Sequence, residues 1–440
     1  MTQPSARFRC FEGCPGTYPL TQAVTRCPTC GGLLEVAHDM AALAETSAGA
    51  WRERFDARWA PGVTGGLAPS GVWSKREWVA PEIPDEDVVT TGEGMTPLYP
   101  ARRLAEEARF GELYVKQCGN THTGSFKDLG MTVLVSVVKH AQRTGALSVR
   151  AIACASTGDT SAALAAYGAA AGLPVVVLLP RGLVSTAQLV QPLAHGAKVL
   201  ALETDFDGCM AIVQRLAQEE IIYLANSMNP LRIEGQKTVA LEIAQQLGWK
   251  APDWVVIPSG NLGNSAALHA GFAMARALGV LDRLPRLCIA QAASANPMYL
   301  AYEAGADTVA PVVARPTQAS AIRIGNPVSA PRAMAALRAM DGVVEQATEQ
   351  ELADACARAD RTGLYACPHT GVGLACAMKL RDRGIIGERD RVVVVSTANA
   401  LKFTEFKLGY HEKRLPDVDA RLANEPVVLP ADVDAVAERL

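Results

Sequence analysis

The sequence has few aromatic residues and no excess of positive charge, and each lack excludes a class of protein. Aromatic residues make up 5% of the 440 residues, whereas hydrophobic residues make up 49%. This composition favours a helix-rich α/β protein over a β-sandwich. The formal net charge is −3, so we expect no overall field that attracts nucleic acid or an anionic membrane. An anionic ligand therefore has to be held by a local site.

Long apolar segments are also missing. No run of about 18 apolar residues occurs, so we expect no membrane span, and residues 1–9 are polar, unlike a secretory signal. Four of the eleven cysteines precede residue 31, and the other seven are scattered singly, mostly in apolar patterns where a reduced buried cysteine is ordinary. This distribution predicts a reducing compartment, either the cytoplasm or an organellar stroma, and we take cytoplasmic as the prediction.

The four early cysteines form two close pairs. Cys10 and Cys14 are separated by three residues, and Cys27 and Cys30 follow after twelve more residues and are separated by two. Two thiolate pairs on facing turns give the tetrahedral sulfur coordination that suits zinc. The pattern predicts a structural zinc ribbon, with a metal-free remnant as the alternative. A closed four-cysteine site has no free coordination position, so it would not be catalytic.

The rest of the chain divides into an arm and a body. We place the zinc-ribbon-like unit at residues 1–40, an arm at 41–110 and the main body at 111–440. The arm is interrupted by proline and glycine, and we expect it to pack against the body or against another subunit. Its tryptophans are Trp51, Trp59, Trp73 and Trp78.

From residue 112 onward the pattern alternates between strands and helices, which predicts right-handed βαβ crossovers and mainly parallel sheets. The predicted strands are 147–154, 174–179, 198–202, 254–257, 287–290 and 391–395. The predicted helices include 161–171, 236–247, 266–278 and 349–361. Ligands of such sheets bind where the strands end and glycine-rich loops meet helix N-termini.

A lysine opens a segment that otherwise has the pattern of a buried helix. Residues 123–128 read Thr-Gly-Ser-Phe-Lys-Asp, and an apolar run follows from 129 to 138. Burial lowers the pKa of a lysine ammonium, and a neutral amine at Lys127 would attack a carbonyl to form a Schiff base. Pyridoxal phosphate (PLP) is the cofactor most often held in this way. The alternative is a structural lysine paired with Asp128, and this segment alone leaves both open.

Two strand-to-helix loops are suited to anions. Residues 155–160 combine free amides, hydroxyls and the positive end of a helix, which fits a substrate carboxylate; the alternative is simple helix capping by Asp159 or Thr160. Residues 258–264 carry two glycines three positions apart, so that several backbone amides can converge on one phosphate. The alternative there is an ordinary turn. The spacing does not match a dinucleotide-binding motif, and it fits a single phosphate monoester.

Further polar residues follow other strands. Thr397 comes after the last predicted strand and could donate to a pyridine nitrogen. Residues 226–232 place amides, a hydroxyl and Arg232 in a predicted turn before a helix at 234–247, a combination that can clamp a dianion. Surface ion pairing is the alternative for Arg232. Residues 321–327 form a loop with no assigned task.

With these segments together, the chain resembles the threonine synthases, in the β-family (fold type II) of PLP enzymes, over essentially all of residues 10–430. The resemblance is strongest to the plant-type branch. The segments that carry it are 119–130, 156–161, 226–237, 260–264, 321–327, 396–397 and 400–403. It implies a tryptophan synthase β-like fold, with two interleaved βαβ domains, open parallel sheets and a small domain at about 130–235 inserted in the large one.

The resemblance also implies roles for individual residues. Lys127 would be the Schiff-base lysine, with Phe126 beside the cofactor and Thr397 facing its pyridine nitrogen. The cradle of the cofactor phosphate would be Gly260, Asn261, Leu262, Gly263 and Asn264. The substrate carboxylate would be held by Ser156 and Thr157. The substrate phosphate would be held by Asn226, Ser227 and Arg232, with Lys116 as a further candidate.

Two positions depart from the wider β-family. Asp159 stands where an asparagine commonly donates to the cofactor O3′, so its carboxyl group has to be protonated or has to accept from a protonated O3′; plant-type enzymes look similar here. Residues 398–400 read Ala-Asn-Ala where many relatives have a Gly-His-Gly-like run. The hydroxyl of Thr397 is retained, so its implied role survives.

The implied reaction is the last step of threonine biosynthesis, in which O-phospho-L-homoserine and water give L-threonine and phosphate. The alternatives are another PLP enzyme acting on a phosphoamino acid, such as a cysteate synthase-like enzyme, and a non-catalytic zinc-ribbon regulator that binds nucleic acid. The resemblance further implies a homodimer. Activation by S-adenosylmethionine, through the arm at residues 71–78, is a hypothesis from the same source.

Overall fold

The fold is known from a computed structural model that describes residues 4–60, 70–156, 158–182 and 186–440. The strands are β1 (Ala6–Cys10), β2 (Thr17–Pro19), β3 (Leu34–His38), β4 (Leu98–Pro100), β5 (Glu112–Gln117), β6 (Ala151–Ala155), β7 (Val175–Pro180), β8 (Lys198–Leu202), β9 (Ile222–Leu224), β10 (Trp254–Pro258), β11 (Arg286–Ala292), β12 (Val343–Ala347) and β13 (Arg391–Ser396). They form three separate sheets, with the strand orders β2-β1-β3, β8-β7-β6-β9 and β12-β11-β10-β13-β5-β4.

Helices cover the sheets and connect their strands. They are α1 (Met40–Ala44), α2 (Ala48–Ala57), α3 (Arg102–Glu107), α4 (Lys127–Arg143), α5 (Asp159–Ala171), α6 (Thr186–Ala194), α7 (Phe206–Gln218), α8 (Pro230–Gln236), α9 (Thr238–Gln246), α10 (Gly263–Ala277), α11 (Pro297–Glu303), α12 (Ala330–Ala339), α13 (Glu349–Arg361), α14 (Pro368–Asp382), α15 (Thr404–His411) and α16 (Val433–Ala437). In the described part of the chain, none of them is both long and apolar enough to cross a bilayer.

The two larger sheets are mainly parallel. All pairings of the four-stranded sheet are parallel, and only the edge strand β4 of the six-stranded sheet runs antiparallel to its neighbour. The side chains of β10 alternate between two hydrophobic clusters: Val255 and Ile257 belong to one, and Trp254 and Val256 to the other. A parallel sheet buried on both faces gives this arrangement. The predicted α/β class with parallel sheets is confirmed.

The arm packs against the body of its own chain. Trp51, Trp73 and Trp78 are buried in the main core, whereas Trp59 is 38% exposed. The indole nitrogen of Trp73 donates to Thr132 Oγ1 on α4 at 2.7 Å, so a buried polar atom also ties the arm to this helix. The arm therefore adds to the hydrophobic core that surrounds α4.

The predicted turn at 226–232 is confirmed only for residues 226–229, and the single helix predicted after it, at 234–247 or 236–247, is wrong. A helix, α8, begins at Pro230, and a second helix, α9, follows after a break at Lys237. The Asn229 side chain accepts from the backbone N–H of Leu231 at 3.0 Å, and a proline at the first helical position is pre-organised for helix. Arg232 consequently lies within a short helix, which fixes its direction more firmly than a turn would.

Candidate active site

The loops that follow β5 and β13 are joined beside Lys127. The backbone N–H of Phe126 donates to Thr397 O at 2.9 Å, and Ser125 and Ala398 form an isolated antiparallel bridge. Lys127 follows as the first residue of α4. The fold thus brings the predicted lysine, Phe126 and Thr397 to one place at the carboxyl edge of the large sheet.

The environment of Lys127 favours the neutral amine. Burial lowers the pKa of Lys127 to about 7; the positive charge of Arg232 adds to the effect, and the negative charge of Asp159 partly offsets it. The ammonium lies 4.1 Å from the centroid of the Phe126 ring. These contacts make Lys127 a group that can be an uncharged nucleophile or base near neutral pH.

Asp128 supports the loop in front of Lys127. Its carboxylate accepts from the backbone N–H of Thr123 at 2.9 Å and from the hydroxyls of Thr121 at 3.1 Å and Thr123 at 2.5 Å. Three donors satisfy the buried carboxylate within its own loop. The contacts of Asp128 therefore do not support the alternative of a structural Lys127–Asp128 pair.

Arg232 brings a buried and incompletely bonded guanidinium to the site. One nitrogen, Nη1, donates to Ala225 O at 2.8 Å, while Nε and Nη2 are buried with no partner among the described residues. Burial lowers the pKa of Arg232 to about 10. Leaving such donors unbonded is costly, and an anion bound there would satisfy them. Surface ion pairing, the alternative for this residue, is wrong because Arg232 is 1% exposed.

Three helices begin at the site without a side-chain cap. None of α4, α5 and α10 has a side-chain cap, whereas α7 and α13 are capped by Asp205 and Thr348. The starts of α5 and α10 are therefore open to anions, whereas the first three backbone N–H groups of α4 already have partners in the loop before it. This arrangement fits one phosphate-bearing cofactor together with an anionic substrate.

The side chains of the glycine-rich loop before α10 shape the loop itself. Asn261 Nδ2 donates to Ser227 Oγ at 2.7 Å, and its Oδ1 accepts from Val328 N at 3.0 Å. Asn264 Nδ2 donates to Pro258 O at 2.8 Å. Leu262 has a positive φ of 63°, an uncommon backbone conformation for leucine. With its side chains so engaged, the loop presents backbone amides, as the predicted phosphate cradle requires.

Asp159 faces the site and is bonded to a lysine that the sequence analysis did not single out. Lys402 Nζ lies 2.7 Å from Asp159 Oδ1 and donates to Thr123 O and Gln191 Oε1, both at 3.0 Å. One ammonium thus ties together α5, α6 and the loop before α4. The only sequence signal for it was its place in segment 400–403.

His369 is a second residue that the sequence analysis missed. Its Nε2 accepts from Ala321 N at 3.0 Å, so the loop 321–327 is fixed against the start of α14. Burial lowers the pKa of His369 to about 4; Asp159 opposes this effect and Lys127 reinforces it. A neutral imidazole that accepts through Nε2 carries its proton on Nδ1. This contact could not be predicted from the sequence, because His369 is a single histidine in a largely apolar segment.

The other residues predicted to bind substrate differ in whether their polar groups already have partners in the protein. Asn226 bonds the backbone of Ala155 with both ends of its amide, at 3.0 and 2.8 Å, and Ser156 Oγ accepts from Gly158 N at 3.3 Å. Thr157 lies outside the described residues. Lys116 is fully buried, 2.5 Å from Glu242 Oε2 and bonded to Thr96 O at 2.7 Å. Because these partners occupy its ammonium, the structure does not support Lys116 as a phosphate ligand.

The four early cysteines come together in the N-terminal part of the chain. The Sγ atoms of Cys10, Cys14, Cys27 and Cys30 all lie within 4.8 Å of one another. The backbone N–H of Gly32 lies 3.3 Å from Cys30 Sγ, a contact that would stabilise a thiolate. Four sulfurs at such distances fit one tetrahedral zinc ion with no position left for substrate.

Comparisons with known proteins agree with this geometry. The chain matches the family model described as pyridoxal-phosphate dependent enzyme over residues 89–398. Threonine synthase 2, chloroplastic, of Arabidopsis thaliana is 52% identical over 99% of this chain and 85% of its own length. The threonine synthase of Methanosarcina acetivorans is 39% identical over 98% of each chain. The threonine synthase structure from Escherichia coli superposes with a TM-score of 0.69 at 22% identity, covering 98% of this chain and 99% of that one.

These likenesses extend over nearly the whole chain. The family match includes Lys127, the loop before α10 and Thr397, and both relatives named above exceed 30% identity over most of their own lengths. The predicted plant-type resemblance, the fold type II architecture and the dependence on PLP are therefore confirmed. The chain belongs to the threonine synthases, within the pyridoxal-phosphate dependent enzymes.

Proposed function

We propose that the protein converts O-phospho-L-homoserine and water to L-threonine and phosphate. The observation that carries this proposal is the buried guanidinium of Arg232, whose Nε and Nη2 lack partners among the described residues, together with its electrostatic effect on Lys127. A phosphate monoester would satisfy both nitrogens. The relatives named above are threonine synthases, which supports this reaction over a cysteate synthase-like reaction and over a non-catalytic regulator.

Different residues would carry out proton transfer, phosphate binding and carboxylate binding. Bound PLP supplies the electron sink for carbanion chemistry. Lys127 Nζ, with its pKa lowered to about 7, can take a proton from a substrate carbon and return it to another. Arg232 would hold the departing phosphate and balance its charge. The uncapped start of α5 would hold the substrate carboxylate, with Ser156 at the end of the preceding strand.

The cofactor would lie between the two domains. The backbone amides at the start of α10 would hold its phosphate, Thr397 would face its pyridine nitrogen, and Phe126 and Asp159 would line its ring. The position of the Phe126–Thr397 backbone bond and the missing side-chain cap of α10 support these assignments. A hydroxyl, unlike a carboxylate, leaves the pyridine nitrogen unprotonated, which moderates the electron sink.

Substitution of Arg232 tests the phosphate assignment. We expect Arg232→Ala to lower kcat/KM for O-phospho-L-homoserine by about 100-fold or more, because a buried charged contact to the substrate is lost. The absorbance of bound PLP should stay unchanged, and Arg232→Lys should retain part of the activity since it keeps a charge. Phosphate release and PLP absorbance are the measurements. Unchanged turnover in Arg232→Ala would exclude this residue from phosphate binding.

Several further features belong to the same proposal. The four-cysteine cluster would hold structural zinc, supported by the mutual distances of its sulfurs. A reducing, cytoplasmic setting is supported by eleven free cysteines, although one relative is a chloroplastic enzyme. The homodimer and the S-adenosylmethionine effector rest on the resemblance to plant-type enzymes. Within the arm segment 71–78 that the effector hypothesis invokes, Trp73 and Trp78 are fully buried in this chain.

A further inference from the structure

The sheet of the four-cysteine unit ends against the helix that carries Arg232. His38, the last residue of β3, has its Nε2 2.5 Å from Glu234 Oε1 and 2.9 Å from Lys237 Nζ. Glu234 and Lys237 also form a direct ion pair, and the three side chains are at most 5% exposed. Breaking up such a buried cluster is costly, so it fixes β3 and α8 relative to each other.

The charge states of Glu234, His38 and Lys237 favour the contact between β3 and α8. Burial alone would raise the pKa of Glu234, but Lys237 and His38 outweigh it and hold the pKa below its usual value. Burial and the neighbouring Lys237 lower the pKa of His38. The result is an ionised carboxylate beside an uncharged imidazole, with Lys237 as the counter-charge. The His38 Nε2–H therefore donates to the Glu234 carboxylate across the interface, and Lys237 pairs with the same carboxylate.

Because the helix α8 is short, a shift of Glu234 near its C-terminal end would also move Arg232. The helix has seven residues, and Arg232 lies only two positions before Glu234. Its other side is pressed against α4, where a Cβ atom on Gly235 would come within 1.7 Å of Leu129 O and one on Gly130 within 2.6 Å of Arg232 O. The helix is thus held between the four-cysteine unit and the helix that begins with Lys127.

The strand β3 is in turn connected to the cysteine cluster. Leu34, its first residue, pairs with Cys10 in the register of β1 and β3, and the Leu34 carbonyl accepts from the guanidinium of Arg332 on α12. The order of contacts is therefore Cys10, β3, His38, Glu234 and Arg232. Cys10 and Leu34 are neighbours across the paired strands, and the remaining steps are the strand β3, the buried His38–Glu234 hydrogen bond and the helix α8.

We propose that His38 is a positioning residue for the substrate phosphate, and that the four-cysteine unit sets the position of Arg232 through it. This inference rests on the proposed function, because it takes Arg232 as the phosphate ligand. It gives the N-terminal unit a task in substrate recognition, although its cysteines themselves bind neither substrate nor PLP in the proposed function. Metal occupancy of the cysteine cluster should then affect phosphate binding and leave PLP binding intact.

The test compares three variants of the full-length, PLP-loaded protein. His38→Leu removes the hydrogen bond to Glu234, His38→Gln keeps an amide able to reach Glu234, and Arg9→Gln removes the exposed Arg9–Glu35 pair on the same sheet as a control. We expect His38→Leu to raise the KM for O-phospho-L-homoserine and the Kd of inorganic phosphate about tenfold, with kcat changed less than about twofold. His38→Gln should recover most of the affinity, and Arg9→Gln should match the wild type.

Several outcomes separate this inference from the proposed function. Unchanged KM and phosphate Kd in His38→Leu would overturn the inference, as would a fall in PLP binding equal to the loss of phosphate affinity. If His38→Leu does not fold, Glu234→Gln weakens the same contact from α8 and should shift KM in the same direction. Wild-type protein that releases no phosphate from O-phospho-L-homoserine would overturn the proposed function, while the Kd of inorganic phosphate would still test the role of His38.

Discussion

At the scale of single residues, burial and two charged neighbours of Lys127 predict how the reaction of this lysine with PLP depends on pH. The pKa of Lys127 is lowered to about 7 by burial and by Arg232, and Asp159 opposes this. Because only the neutral amine attacks the PLP carbonyl, the rate of PLP incorporation into apoprotein should rise with pH and level off about one unit above that pKa. Stopped-flow absorbance measures this rate.

Variants of the two neighbours should move the midpoint in opposite directions. Arg232→Met removes a positive charge, so the pKa of Lys127 should rise and the midpoint should shift to higher pH. Asp159→Asn removes a negative charge, so the midpoint should shift to lower pH. Glu388→Gln, a substitution of a strongly exposed surface acid, is the control. Shifts of both variants in one direction would show that charge at these positions does not govern the lysine.

Local sequence was enough to select the candidate residues whose signal lies within a single segment. Lys127 was selected because it opens a helix with a buried pattern, whereas the glycine-rich loop before α10 and Thr397 were selected because each follows a predicted strand. The Lys402–Asp159 pair and the His369–Ala321 bond could not be predicted in this way. They join segments far apart in sequence, and nothing in either segment names its partner. The charged partner of Lys116 was equally hidden, because Glu242, which pairs with it in the core, lies on a helix far away in sequence.

At the scale of elements, the crossing of α4 and α8 sets the distance between Lys127 and Arg232. A Cβ atom on Gly235 would lie 1.7 Å from Leu129 O, so Gly235→Ala forces the two helices apart. We expect a loss of about 1–3 kcal/mol in the free energy of unfolding and a higher KM for the phosphorylated substrate. Urea unfolding and steady-state kinetics are the measurements.

A second glycine provides the matched control for this crossing. Gly49 lies in α2, and a Cβ atom there would meet nothing within 4 Å. Gly49→Ala should therefore leave stability unchanged or raise it by up to about 1 kcal/mol, as alanine favours helix. If Gly235→Ala were as well tolerated as Gly49→Ala, close helix contact would not be what holds Arg232 in place.

Some helices and strands were predicted with correct bounds from their pattern of apolar residues. A strand that buries polar residues was not predicted. The strand at 198–202 and the helix at 349–361 have the bounds expected from the sequence. The strand β12 was missed because its sequence, Val-Val-Glu-Gln-Ala, places polar residues in a buried strand. Glu345 is tolerated there because Arg383 and Lys379 pair with it. Such compensation comes from other elements and leaves no trace in the strand itself.

At the scale of the whole molecule, the N-terminal sheet shares its core with the rest of the protein. Phe8 and Leu34 are fully buried and belong to the same hydrophobic cluster as residues of α4 and α8, such as Leu129 and Leu231. The sequence suggested a separate small unit from the spacing of its cysteines. Spacing describes the metal ligands but says nothing about the faces of the sheet that surround them.

This shared core predicts how the protein unfolds when metal is removed. If zinc occupies the four cysteines, chelation should destabilise a sheet that is continuous with the main core. Calorimetry should then show one unfolding transition at a midpoint lower by about 5 °C or more, instead of a separate early transition.

The double substitution Cys27→Ser and Cys30→Ser should reproduce the shift without chelator. Cys209→Ser, which changes a buried cysteine outside the cluster, should leave the response to chelator intact. Two resolved transitions, with the larger one unmoved by chelation, would mean that the four-cysteine unit folds by itself and cannot hold α8 in position.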